Sequence, residues 1–115
     1  MSIWHALSKP KGPVNARDFV STIVFLPLTD DTFAIVATSV DDTSVPVAES
    51  VVRGEIKIGV YLYEPVAGDA TRTHHQSVVL IDPKGNIPAS IVNAALSNRA
   101  IFYEKLRDRI HEELN

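Results

Sequence analysis

Apolar residues in the last third of the chain recur mostly in steps of four: Ile87, Ile91, Ala95, Phe102, Leu106, Ile110 and Leu114. That spacing draws one stripe along a helix. Pro88 suits its first turn, where a missing N–H leaves no gap in the ladder. No Gly or Pro follows, so the pattern predicts one helix of about 26 residues, roughly 39 Å long at 1.5 Å per residue. Ser97-Asn98-Arg99 is a polar dip where the stripe bends or shifts face. Glu104, Lys105, Arg107, Asp108, Arg109, Glu112 and Glu113 form a solvated outer face, with Glu104–Arg107 and Lys105–Asp108 as expected pairs. Such a helix needs a large apolar partner surface. Before it, Asp82-Pro83-Lys84-Gly85 has the residue preferences of a type I turn.

The preceding residues follow the other period. Ile3–Ser8 alternates weakly and stops at Lys9-Pro10-Lys11-Gly12-Pro13. Arg17–Leu26 is rich in β-branched and aromatic residues and ends at Pro27. Thr29-Asp30-Asp31 turns the chain into Thr32–Val40, the return strand of a hairpin. Asp41–Ser50 is a polar loop with Val45-Pro46-Val47 at its centre. Val51–Glu64 reads as one long strand, with bulges or a bend expected at Gly54 and Gly59. Pro65–Ala70 turns into Thr71–Ile81, the last strand. Five strands in succession and then a helix predict an α+β fold built on an antiparallel sheet. A strand that begins almost at the first residue suggests that a segment is missing before it.

Composition narrows the class. The 115 residues amount to one domain, and 45% apolar with 22% charged residues is ordinary for a globular chain. A formal charge of -3 argues against nucleic acid, whose phosphates need a basic surface. The lack of cysteine fits a reducing, cytoplasmic setting and excludes thiolate chemistry. No apolar run approaches the length of a membrane span.

Candidate chemistry is thin. His74 and His75 are adjacent on a strand, so they point to opposite faces and cannot share a metal ion. Ser77, His75 and Asp82 lack the elbow motif of a nucleophile. Asp41-Asp42 lacks a calcium-loop spacing, and Asp82–Gly85 lacks the glycine run of a phosphate loop. Arg17 with Asp18, and Arg53 with Glu55, read as structural or surface pairs.

Three blocks are more specific together than apart: Arg17-Asp18-Phe19-Val20, Val52-Arg53-Gly54-Glu55, and Ile81–Pro88 with Ile91-Val92-Asn93. In order and spacing they resemble the START (StAR-related lipid-transfer) domain, from about Ile3 to the C-terminus. The chain looks like the C-terminal half or so of that domain. The resemblance implies a helix-grip fold, a curved antiparallel sheet gripping a long C-terminal helix around a lipid tunnel. It also implies a sterol, phospholipid or sphingolipid ligand, transient contact with a membrane surface, and no cofactor. Two positions depart from the family pattern: Asn86 stands where Trp is common, and Ile23 where sterol-binding relatives often carry a basic residue.

By this resemblance the lipid-facing positions are Ile23, Ile35, Ile56 and Tyr61 on the sheet and Leu96, Phe102 and Ile110 on the helix. Alternation adds Phe25, which shares a strand face with Ile23 and Phe19. Past Gly59 the parity is open: simple alternation buries Val60 and Leu62, whereas a bulge turns Tyr61 and Tyr63 inward. Loop Asp41–Ser50 takes the place of the family's tunnel-mouth loop. The leading expectation is therefore a non-enzymatic lipid carrier. An enzyme on the same scaffold, an aromatase/cyclase or hydrolase, would have to draw on Tyr61, Tyr63, His75 and Glu55. A third reading is a remnant that self-pairs into a homodimer through the open edge of strand Ile3–Ser8.

Overall fold

A computed structural model describes residues 1–114. Two compact units emerge, Met1–Gly85 and the segment from Asn86 onward. The first is a curved, open sheet of strands β1 (Ser2–Leu7), β2 (Ala16–Pro27), β3 (Phe33–Ser39), β4 (Val51–Arg53), β5 (Glu55–Val66) and β6 (Asp69–Asp82). Its order is β1-β2-β3-β5-β6, with every neighbouring pair antiparallel. The expected succession of strands is therefore present, with a sixth added.

The addition is β4, and it corrects the expected single strand from Val51 to Glu64. The chain breaks step at Gly54, and Val51–Arg53 pairs parallel with Ala16–Asp18. The reason is local. A Cβ on Gly54 would collide with the Phe19 ring, coming within 2.7 Å of its Cζ. Only glycine lets the backbone pass this close to Phe19. The bulge expected at Gly59 lies earlier, between Ile56 and Ile58.

Burial concentrates around β2. Among the described residues Val20, Ala34 and Ala37 are the buried apolar side chains, and Arg17, Asp18 and Ser21 the buried polar ones. At the far end of β6 the expected type I turn is not formed. Such a turn needs a negative φ at its third residue, whereas Lys84 has φ 55° and Gly85 φ 69°. The Lys84 amide donates to Asp82 Oδ1 at 2.9 Å, the local bond that lets Asp start a turn.

The second unit is helix α1 (Ala89–Leu114), 26 residues starting just after Pro88 as the missing N–H of proline dictates. Ser97 Oγ donates back to the Asn93 carbonyl at 3.0 Å. Arg107–Asp108 and Arg109–Glu113 pair on its surface, whereas the expected partners of Arg107 and Asp108 are Glu104 and Lys105. Asp108 lies against its neighbour rather than one turn away. Among the described residues no helix is long and apolar enough to cross a membrane.

Candidate functional site

Residues directly opposite one another in an antiparallel ladder share a face, so the register sorts the sheet into two. One face carries the row Ile23–Ala37–Gly59–Val79, then Phe25–Ile35–Tyr61–Ser77, then Pro27–Phe33–Tyr63–His75. The irregularity between Ile56 and Ile58 resets the parity of β5, because Ile56 sits opposite Ile81, two residues from Val79. Ile56 thereby joins the face of Gly59 and Tyr61. Thus Ile23, Phe25, Ile35, Ile56 and Tyr61, expected from sequence to contact lipid, all lie on one face.

The opposite face carries Val24–Val36–Val60–Val78 and Leu26–Ala34–Leu62–Gln76. It is apolar as well, and Val78 is 71% exposed. Composition therefore does not distinguish the two faces; aromatic content does.

A ladder of rings crosses the first face. Phe25 and Phe33 have centroids 4.9 Å apart, Phe33 and Tyr63 4.9 Å, and Tyr63 and His75 4.5 Å. The Tyr61 and His75 rings are nearly parallel, tilted by 8° at 6.4 Å. His75 Nδ1 lies 3.2 Å from the Leu62 carbonyl oxygen. A carbonyl only accepts, so Nδ1 carries the proton. His74, on the other face, meets Glu64 Oε1 at 3.1 Å. The two histidines are thus split between faces as the strand period requires. Phe33 lies outside the residues singled out from the sequence, whereas Tyr63 is among them as the inward-turned alternative that a bulge provides.

The hydrolase set does not assemble. Ser77 and His75 share a face, whereas Asp82 has the opposite parity and binds Lys84 Nζ at 3.1 Å. Glu55, the acid an enzyme on this scaffold would draw on, stands opposite Asp82 on that same far side and also binds Lys84 Nζ at 3.1 Å. Among the described residues no cluster of His, Asp or Glu is arranged to hold a metal ion.

Loop 41–50 is held rather than free. Asp42 Oδ1 accepts from the Ser44 amide at 2.9 Å and from Ser44 Oγ at 2.6 Å. These bonds hold the Asp42 carboxyl below the usual carboxylate range. Val45 is half-buried and its carbonyl accepts from Arg53 Nη2 at 3.0 Å. Val47, by contrast, is 52% exposed.

Arg53 and Asp18 form the electrostatic centre, which corrects both pairings expected from sequence. Arg53 Nε donates to Asp18 Oδ1 at 2.7 Å and Nη2 to Oδ2 at 2.9 Å. His5 Nε2 meets Oδ2 from the other side, also at 2.9 Å. Glu55 is left to Lys84 and, at 3.8 Å, Lys57. Arg17 is not ionically paired with Asp18: its Nε, Nη1 and Nη2 donate to the carbonyls of Pro83, Asn15 and Lys84. Neighbours in sequence point to opposite faces of a strand, so Arg17 and Asp18 could not meet side by side.

On α1, taken by itself, Leu96, Phe102 and Ile110 are exposed, and Phe102 lies edge-on to Tyr103 at 5.4 Å. Ile91, Val92, Arg99 and Tyr103 are half-buried.

A family model described as the START domain matches residues 2–114. The steroidogenic acute regulatory protein of Xenopus laevis is 32% identical over 111 residues, covering 96% of this chain and 39% of that protein. Human StAR-related lipid transfer protein 5 superposes with a TM-score of 0.82 at 19% identity, over 98% of this chain and 55% of that one. Human STARD10 gives 0.70 at 20% identity, over 92% and 41%. The chain thus spans well under two thirds of each relative's length. The structural likenesses, at such identity, speak for the fold, and they match a curved antiparallel sheet followed by a C-terminal helix, the helix-grip architecture expected from the sequence. With the family model matched over nearly the whole chain, the chain belongs to the START domain family.

Proposed function

We propose that this chain binds a hydrophobic lipid and carries it between membranes without chemical change. One observation supports this above the others: Ile23, Phe25, Ile35, Ile56 and Tyr61 share one face of the sheet, with an aromatic ladder across it. Such a surface gains about 2.5 kcal/mol for each 100 Å² of apolar ligand surface taken from water. Leu96, Phe102 and Ile110 of α1 belong to the same proposal as further lipid-contacting residues. The names of two relatives, a steroidogenic regulatory protein and a lipid transfer protein, point the same way. Mass spectrometry of the purified chain under native conditions tests it. Bound lipid is expected, and its loading falls when Ile23 or Phe102 is replaced by Glu. A chain that neither carries lipid nor takes any up refutes the proposal.

The exposed residues Leu28 and Val47 sit outside the strands and are proposed as points of transient membrane contact. A second copy of the chain is the other proposed partner. Strand β1 ends the sheet, and its Ile3, Trp4 and Leu7 are exposed, a combination that favours strand-to-strand pairing. Light scattering distinguishes the resulting homodimer from a monomer.

A further inference from the structure

We infer that the ligand's polar end is uncharged, a hydroxyl or carbonyl rather than a phosphate or carboxylate, and that it lies at Tyr61, Tyr63, His75 and Ser77. This rests on the lipid-binding proposal and narrows it. From Phe19 on β2 across to Val79 on β6, the rows of the aromatic face hold no Lys, Arg, Asp or Glu among the described residues. Lys57, at the irregularity of β5, lies 3.8 Å from Glu55, which belongs to the far side. The nearest cation of the same strand parity is Arg17. It is buried, and its three donor nitrogens go to the carbonyls of Pro83, Asn15 and Lys84. At the Tyr63 end Arg72 lines a hollow with Phe33 and Tyr63, but Asp31 and Glu64 line it too, so a charged headgroup brought onto this face meets no net positive charge to offset its loss of water.

Polar groups that can orient a neutral headgroup are present, and they gather at one end. Tyr61 stands opposite Ser77, and Tyr63 opposite His75, in consecutive rows of the β5–β6 ladder. From the Tyr63 row to Ile56 the face extends roughly 20 Å at about 3.3 Å per residue. That is room for a long apolar body with its single polar end among hydroxyls and an imidazole.

Two probes with one tail separate headgroup charge from hydrophobicity: hexadecan-1-ol and hexadecyl phosphate. In an equimolar competition read by native mass spectrometry, the alcohol adduct should exceed the phosphate adduct at least tenfold. Equal adducts, or more phosphate, overturn this inference and leave lipid binding standing. Absence of both adducts overturns lipid binding and this inference with it. Ile23→Arg places a cation on the face and should shift the ratio at least tenfold toward the phosphate; an unchanged ratio in the folded variant contradicts the inference. Should Ile23→Arg fail to melt cooperatively, Ser77→Arg on β6 carries the same expectation.

Discussion

Asp18 and Arg53 grip each other through two parallel charge-assisted hydrogen bonds, 2.7 and 2.9 Å long, although 35 residues separate them in the chain. Asp18 is almost wholly buried, while Arg53 reaches it from the three-residue strand β4 and also holds the Val45 carbonyl. One side chain thereby joins the edge of the sheet to loop 41–50. Removing one partner of a buried pair strands the other. Arg53→Leu should lower stability by about 3 kcal/mol, read as a shift in the urea midpoint. Arg53→Lys should recover only part of it, because an ammonium cannot reproduce the planar fork. A full recovery by lysine would show that charge alone matters here.

The same pair makes the fold sensitive to acid. The hydrogen bonds from Arg53 hold the Asp18 carboxyl below its ordinary value, against the opposing effect of burial, and His5 adds to the lowering. A carboxyl whose folded value is depressed contributes stability that is complete above its unfolded value and is lost as pH falls toward the folded one. Stability of the chain should therefore decline as pH drops below about 4, the ordinary range of an aspartate. Asp18→Asn should be less stable at pH 7 and show a shallower acid decline. Thermal melts of both proteins from pH 7 to pH 3 measure the difference.

Gly54 and Phe19 make a steric prediction. Adding a methyl at residue 54 drives it into the Phe19 ring. Gly54→Ala should cost about 1–3 kcal/mol, the range for overpacking. Phe19→Leu in the same chain should return part of that loss by vacating the space. Measured as a double-mutant cycle, the two changes should couple rather than add.

The two faces can be told apart at adjacent residues. Ser77 lies on the aromatic face and Val78 on the other, where it is highly exposed. Ser77→Lys should reduce lipid loading about tenfold or more, since an unpaired ammonium resists desolvation by an apolar ligand. Val78→Lys should leave loading unchanged. Native mass spectrometry of the two variants after identical exposure to lipid vesicles provides the comparison.

Much of this architecture is legible in the amino-acid sequence. Strand and helix positions follow from the switch between a period of two and a period near four, and the START resemblance rests on three short blocks of residues. Ile23 and Phe25 follow from simple alternation along β2. Tyr61 and Ile56 do not, because their parity depends on an irregularity at Lys57 that no local sequence signal marks. Gly54 advertises an interruption but not its outcome, a parallel pairing with β2. The Asp18–Arg53 pair is illegible for a related reason: sequence offers neighbours as charge partners, and strand geometry sends neighbours to opposite sides. The left-handed Lys84 is hidden too, since Asp-Pro-Lys-Gly satisfies the composition of a turn it does not form.

The brevity of β4 has a kinetic consequence. Its parallel ladder with β2 joins residues 35 positions apart over only three register pairs, so it closes a long stretch of chain for little backbone return. That corner should assemble after the β2–β3 and β5–β6 hairpins and be among the first to release, by sub-global opening that leaves both hairpins intact. Amide protons of Val52 and Arg53 would then surrender to deuterium long before those of Val60 or Val36. Beside loop 41–50 the sheet thus carries a corner whose backbone pairing is short, and whose hold on β2 rests largely on the Arg53 side chain.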